Sequence, residues 1–262
     1  MSVIFIFLSL VLIQPDYELL TTVQVSGEQH YTDQFGNVYV IRSGEIKRFD
    51  SEYREVAHYS NPYLGKITSI DLSDPLRILI FYKNYNQVVW LDKYLAEIIS
   101  PVMLDQLGHE QVPVLCSSSQ GGFWLYDEIT SQVYYLDSNM DPVYESISLR
   151  SMLDHTQQPV SMIEKNKQVY LNVPGKGIIV FDRFGNYLKT IPLTECSRFQ
   201  VTDTDIIYFN NDSLYKYNTE LDRSFTIDLP GTIHPIHAEL QPGLLFLFTR
   251  NAFQVYRILL QK

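Results

Sequence analysis

The chain has 262 residues, enough for one sizeable core, and it is rich in rings, with 19 Tyr, 14 Phe and 2 Trp. Its formal net charge of −10 argues against a groove that neutralises nucleic-acid phosphates and against electrostatic attachment to an anionic membrane. No amphipathic helix of ordinary length is readable, and Tyr and Phe suit pleated, half-buried surfaces, so the expected class is all-β.

The chain opens on an apolar run, Val3–Ile13 (VIFIFLSLVLI). The uncharged stretch from Ser2 to Ile13 is too short to span a bilayer, which takes about 20 residues. It matches the apolar core of a secretory signal peptide, roughly 7–15 residues long. No Lys or Arg precedes the run and no small-residue cleavage site follows, where Gln14-Pro15-Asp16 stands instead. A short uncleaved anchor and a buried strand therefore stay open beside the signal reading. The run holds no Cys that could carry a lipid. Residues 1–14 are assigned to the signal and 15–262 to a single domain. Next comes Glu18–Val25 (ELLTTVQV), a strand pattern that belongs to no repeat.

From there one short pattern recurs six times: a β-branched, aliphatic or aromatic residue, two variable residues, a bulky apolar or aromatic residue, then usually Asp. The copies are Ile46–Asp50, Val88–Asp92, Val133–Asp137, Ile178–Asp182, Leu214–Asn218 and Phe253–Arg257. Their last positions lie 42, 45, 45, 36 and 39 residues apart. A repeat of about 40 residues carrying only strand signals predicts a β-propeller, one four-stranded sheet per repeat. The pattern fits strand C of each blade, with A innermost and D outermost, and its Asp can bind backbone N–H groups two residues on to start the C–D turn. The expected D strands are Tyr53–Tyr59, Ala96–Ser100, Val143–Leu149, Tyr187–Leu193 and Ser224–Leu229. The sixth repeat has no room for its own. The surplus N-terminal strand supplies it by pairing with the chain's last strand, which removes two open edges and gives a six-bladed β-propeller.

The D–A connections and B–C turns share one rim. Two connections are long, Pro101–Gln111 and Arg150–Gln158, and contain the helix-capable pieces Val102–Leu107 and Ser151–His155. Long loops on one rim are where function tends to sit. The most distinctive stretch, Tyr59–Asp92, contributes a D–A loop with Asn61, Tyr63 and Lys66, and a B–C turn with Asn84, Tyr85 and Asn86. Tyr and Asn suit recognition, combining rigid amphipathic area with adaptable hydrogen bonding. His109 and His155, in the two long loops, complete the candidate binding set; the alternative is a well-capped pair of turns that only fills the rim.

No catalytic or metal motif is readable. Cys116 falls on the inner strand of the third repeat and Cys196 in the loop entering the fifth, too far apart for a disulfide, and neither has a CxxC partner. His234 and His237 point to opposite faces at their spacing. Ser117-Ser118-Ser119 lacks a nucleophile-elbow context, and Gly121-Gly122 opens no helix. Asp71 and Glu164 approach the channel positions where propeller lactonases gather metal ligands, but two carboxylates do not make a site. No cofactor is expected.

The Tyr59–Asp92 stretch resembles a recurrent phrase, YSNxxLGKITSxDxxNPLKIxLFYxxFNTVVxLD, of small exported propeller proteins of Bacteroidetes-type bacteria. The matching residues are Tyr59-Ser60-Asn61, Leu64-Gly65-Lys66-Ile67-Thr68-Ser69, Asp71, Pro75-Leu76-Arg77-Ile78, Phe81-Tyr82, Asn86, Val88-Val89 and Leu91-Asp92. Arg77 stands where the phrase has Lys, and Tyr85 where it has Phe. The resemblance implies export and a propeller, and no activity, cofactor or catalytic residue. In architecture the chain is also similar to NHL and YVTN-type repeat propellers, which usually bind proteins or ligands. The expected function is a non-catalytic binding or assembly module of the periplasm or cell envelope, whose partner is a protein or envelope component. The rivals are a lactonase-like or quinoprotein-like propeller enzyme and a cytosolic scaffold that retains its N-terminus.

Overall fold

The Asp that ends each C-strand pattern builds the same turn four times. Asp50 Oδ1 accepts the N–H groups of Glu52 and Arg54 at 3.0 and 2.9 Å. Asp92, Asp137 and Asp182 repeat this with the residues two and four positions on. The residue three positions after each Asp takes a left-handed backbone, at Tyr53, Leu95, Met140 and Gly185. Three of these are not glycine, so the carboxylate bonds hold a conformation that an L side chain disfavours. In blade five Asn218 plays the same part toward Glu220 and Leu221.

The computed structural model describes residues 16–154, 156–231 and 234–259. Six four-stranded antiparallel sheets form the ring, a six-bladed β-propeller. Blade one comprises Gln29–Thr32, Val38–Arg42, Glu45–Phe49 and Glu55–Ser60, and blade two Ser69–Asp71, Ile78–Tyr82, Gln87–Leu91 and Val102–Met103. Blade three comprises Val114–Ser117, Phe123–Asp127, Gln132–Leu136 and Pro142–Glu145, and blade four Ser161–Lys165, Gln168–Val173, Gly177–Asp182 and Tyr187–Ile191. Blade five comprises Phe199–Val201, Asp205–Asn210, Ser213–Asn218 and Arg223–Ile227. Blade six joins His237–Gln241, Leu244–Phe248 and Ala252–Leu259 to the N-terminal strand Asp16–Gln24. That strand pairs antiparallel with the last one, from Asp16 opposite Leu259 to Gln24 opposite Ala252. The run assigned to a signal lies outside the described residues.

The B and C strands are buried on both faces because blades stack face to face. Apolar layers fill the gaps between neighbours, for example Val38, Val40 and Phe49 of blade one against Phe246, Phe248 and Phe253 of blade six. Cys116 and Cys196 are buried and unpaired.

Two expected elements differ. The outer strand of blade two is not Ala96–Ser100. Glu97 bridges Leu91 and the Ile98 N–H reaches the Trp90 carbonyl at 2.8 Å, but Pro101 has no N–H to donate and the regular ladder forms only at Val102–Met103. The second helix-capable piece also sits earlier, as a 3₁₀ turn at Leu149–Ser151.

The inner strands are tied to one another by side chains. Asp71 of blade two accepts the Ser117 N–H of blade three at 2.9 Å. Gln200 of blade five accepts the Leu240 N–H of blade six at 2.9 Å, and Glu239 of blade six accepts the Thr32 N–H of blade one at 2.7 Å. Glu164 of blade four reaches the other way, to the Ser119 N–H of blade three at 3.0 Å. An inner strand has a free edge facing the channel, and these groups satisfy its donors.

Candidate functional site

Asn61-Pro62-Tyr63-Leu64 is a tight turn. The Leu64 N–H meets the Asn61 carbonyl at 3.1 Å, and Asn61 Oδ1 accepts the Tyr63 N–H at 3.2 Å. Leu64 is buried, so Tyr63 is turned outward with 87% of its surface exposed. Asn61 also donates to Glu97 Oε1 at 3.3 Å, the oxygen that accepts the Tyr59 hydroxyl at 2.7 Å. Gly65 follows in the left-handed region, and a Cβ there would stand 3.2 Å from the Tyr85 ring. The D–A loop and the B–C turn of blade two therefore touch. Lys66 pairs with Glu28 at 3.1 Å.

Lys83–Tyr85 forms one 3₁₀ turn, closed by Asn86 in the left-handed region. Asn84 is exposed and Tyr85 is half exposed. Asn86 faces inward. Its Nδ2 donates to Asp105 Oδ1 and to the His109 carbonyl, the latter at 2.6 Å. The His109 ring is buried, 2.8 Å from Asp127 Oδ2 through Nδ1 and tilted against Tyr134. Asn86 and His109 thus knit the long connection to the turns of blades two and three. They support the rim from within, whereas Asn61, Tyr63, Lys66, Asn84 and Tyr85 form its surface. His155 lies outside the described residues.

The central channel encloses about 1340 Å³ and is more polar than the sequence suggests. Glu239 joins Asp71 and Glu164 there, and Asp33 and Asp205 line the same channel; of these carboxylates all but the half-buried Asp71 are buried. Glu239 accepts from the Thr32 N–H and hydroxyl through one oxygen, and from Arg198 and His237 through the other, both at 3.0 Å. Burial opposes its charge, but His237, Arg198 and Thr32 outweigh that and hold its pKa below the ordinary range. Glu164 accepts the Trp124 indole N–H at 2.7 Å. Asp71 is pushed up by burial, which outweighs its bonds from Ser73 and the Ser117 N–H. Arg198 reaches from blade five to the His30 carbonyl of blade one and lies over the Tyr31 ring at 4.1 Å. His234 is exposed while His237 faces the channel. Among the described residues no group of three His, Cys, Asp or Glu side chains is placed to hold a metal ion.

Glu239 and Arg198 were missed because one strand of sequence shows no cross-channel neighbour. The available signal was positional: Asp71, Gln200 and Glu239 share one level of the inner strands.

No family model matches the chain, and no curated protein matches it. Solved structures do. A virginiamycin B lyase from Staphylococcus aureus superposes with a TM-score of 0.65 at 8% identity, covering 93% of this chain and 100% of that one. The extracellular domain of a hybrid two-component system from B. thetaiotaomicron gives 0.56 at 16% identity over 91% of this chain and 33% of that one. PorZ of Porphyromonas gingivalis, described as a bacterial surface component of the type-IX secretion system, gives 0.51 at 12% identity over 88% and 31%. At these identities the likeness is one of fold.

Proposed function

We propose that this chain is a non-catalytic binding or assembly module of the periplasm or cell envelope, allied to small exported Bacteroidetes-type propellers, with residues 1–14 as its export signal and 15–262 as its domain. The observation that carries the reading is the pair Tyr63 and Tyr85, both exposed on two turns that meet at Gly65 and are pinned by Asn61 and Asn86. Rigid aromatic groups lose little entropy on binding and are frequent hot spots. Two of the similar structures described above come from surface or extracellular proteins, which supports the location. The channel supports an enzyme less well, since Asp71, Glu164 and Glu239 are each occupied by donors of the chain itself.

The test is co-purification from cell-envelope fractions, with mass spectrometry of what is retained. Truncating a buried interface Tyr costs about 2 kcal/mol or more, so Tyr63→Ala with Tyr85→Ala should abolish retention at an unchanged melting temperature. Retention that survives this variant but fails after changes at Arg183 to Asn186, on the opposite rim, would move the site to the other face. N-terminal sequencing of the mature protein tests the signal.

A further inference from the structure

Ring closure does more than complete blade six. The segment from Val25 to Glu28 connects the N-terminal strand to blade one, and it is stitched on both sides. Val25 N–H meets the Asn251 carbonyl at 2.9 Å and Gly27 N–H the Arg250 carbonyl at 3.2 Å, in the B–C turn of blade six. Glu28 N–H meets the Ile41 carbonyl at 2.7 Å, beside the B–C turn of blade one. Gly27 lies so close to blade one that a Cβ would stand 2.5 Å from Val40 and 2.7 Å from His30. The closing segment is thereby the fixed floor of a depression of about 530 Å³, bordered by Arg42, Lys66, Arg250 and Ile236.

This depression is cationic on a molecule of net charge −10. Arg42 and Arg250 are exposed, and neither makes an ion pair among the described residues. Glu45 stands opposite Arg42 across the turn without pairing to it. Glu28 is the carboxylate within the depression; Lys66 at 3.1 Å and the Ser43 N–H hold it, and Arg42 adds a weaker attraction without forming an ion pair. Lys83 extends the same sign toward Tyr85. The rest of the rim is the reverse: Asp105, Glu110, Glu128, Asp154, Glu195, Asp212 and Asp228 stand on the connections and turns of blades two to five, against Arg150, Lys176 and Arg198, the last already paired with Glu239. Charge is therefore sorted around the rim, and the positive sector adjoins the exposed Tyr63 and Tyr85.

We propose that this sector docks an acidic peptide segment of a partner protein. The guanidinium groups of Arg42 and Arg250 would take side-chain carboxylates in bidentate fashion, and Ile236 and the two tyrosines would take neighbouring apolar side chains. The mixture of cations with exposed apolar and aromatic groups in a small depression fits a peptide better than a bare phosphate backbone. The inference rests on this rim being the working face and adds the chemistry of what it binds.

The test is fluorescence anisotropy of a labelled hexaglutamate peptide on the intact domain. A protein of net charge −10 has no general attraction for a polyanion, so saturable binding reports a local site. Binding should weaken with added salt, as screening requires. Arg42→Glu with Arg250→Glu, both exposed positions, should weaken it roughly tenfold or more. Lys93→Glu with Lys189→Glu, cations remote from the depression, should leave it unchanged. Absence of saturable binding, undiminished binding by the arginine variant, or equal loss in the control would overturn the proposal. So would full displacement by millimolar inorganic phosphate, or tighter binding of an oligothymidylate or of phosphatidylglycerol vesicles. Retention of envelope partners by the Tyr63 and Tyr85 variant reads the rim separately. A rim that passes that test while hexaglutamate fails keeps the working face and discards the acidic ligand.

Discussion

At the scale of single residues, His30 is the group most at odds with its surroundings. It is 1% exposed, its ring stacks on Phe248 at 4.9 Å, and its Nε2 has no hydrogen-bond partner. Burial, followed by the nearby His237 and Arg198, lowers its pKa to about 4. The unfolded chain binds a proton near pH 6.5 that the folded chain refuses. His30 therefore contributes stability that is fully present above about pH 6.5 and is lost as pH falls to about 4, on the order of 3 kcal/mol over that window. His237, whose pKa burial also lowers, acts in the same sense, as does Glu239 at more acid pH, and Asp71, whose pKa is raised, acts in the opposite one. Denaturant unfolding at stepped pH should show this decline, and His30→Phe, which keeps a ring against Phe248, should flatten it. Identical slopes for the two proteins would show that His30 is not the group responsible.

At the scale of strands and turns, local chemistry was legible and contacts between blades were not. The recurring Asp marked the C–D turns because its bonds reach only two and four residues along the chain. The outer strand of blade two was misplaced because Ala96–Ser100 and Val102–Met103 are both apolar enough for an edge, and only Pro101 between them decides where the ladder resumes. The inner-strand ties were invisible because Asp71 and Ser117 lie 46 residues apart. Glu239 is the strongest test of these ties. Glu239→Ala leaves the Thr32 N–H without its acceptor and Arg198 without its counter-ion. Removing one partner of a buried pair costs about 3–5 kcal/mol, and because a third of Arg198 stays in water the lower end applies. Glu239→Gln keeps an acceptor for Thr32 and should cost roughly half as much. Equal melting temperatures for wild type and the Ala variant would mean that the inner edges need no tie.

At the scale of the whole molecule, the blade count was readable from a mismatch between the two ends of the chain, and the charge sorting of the rim was not. Arg42, Lys66 and Arg250 come from blades one and six and the loop between blades one and two, so only closure brings them to one depression. Closure itself can be measured. Tyr17, Leu20, Val23 and Val25 are half buried against the cores of blades five, six and one, and the Tyr17 hydroxyl donates to the Asp228 carbonyl at 2.8 Å. At about 1 kcal/mol for each half-buried side chain, the strand contributes about 4 kcal/mol before its ladder is counted. A chain that starts at Ser26 should therefore melt about 10 °C below one that starts at Asp16. A synthetic peptide of residues 16–25 should restore the difference in a concentration-dependent way, because binding to the folded state alone raises its stability by mass action. If the shortened chain melts at the same temperature, the last three strands close the ring without the first, and the fixed floor beneath Arg42 and Arg250 has another origin.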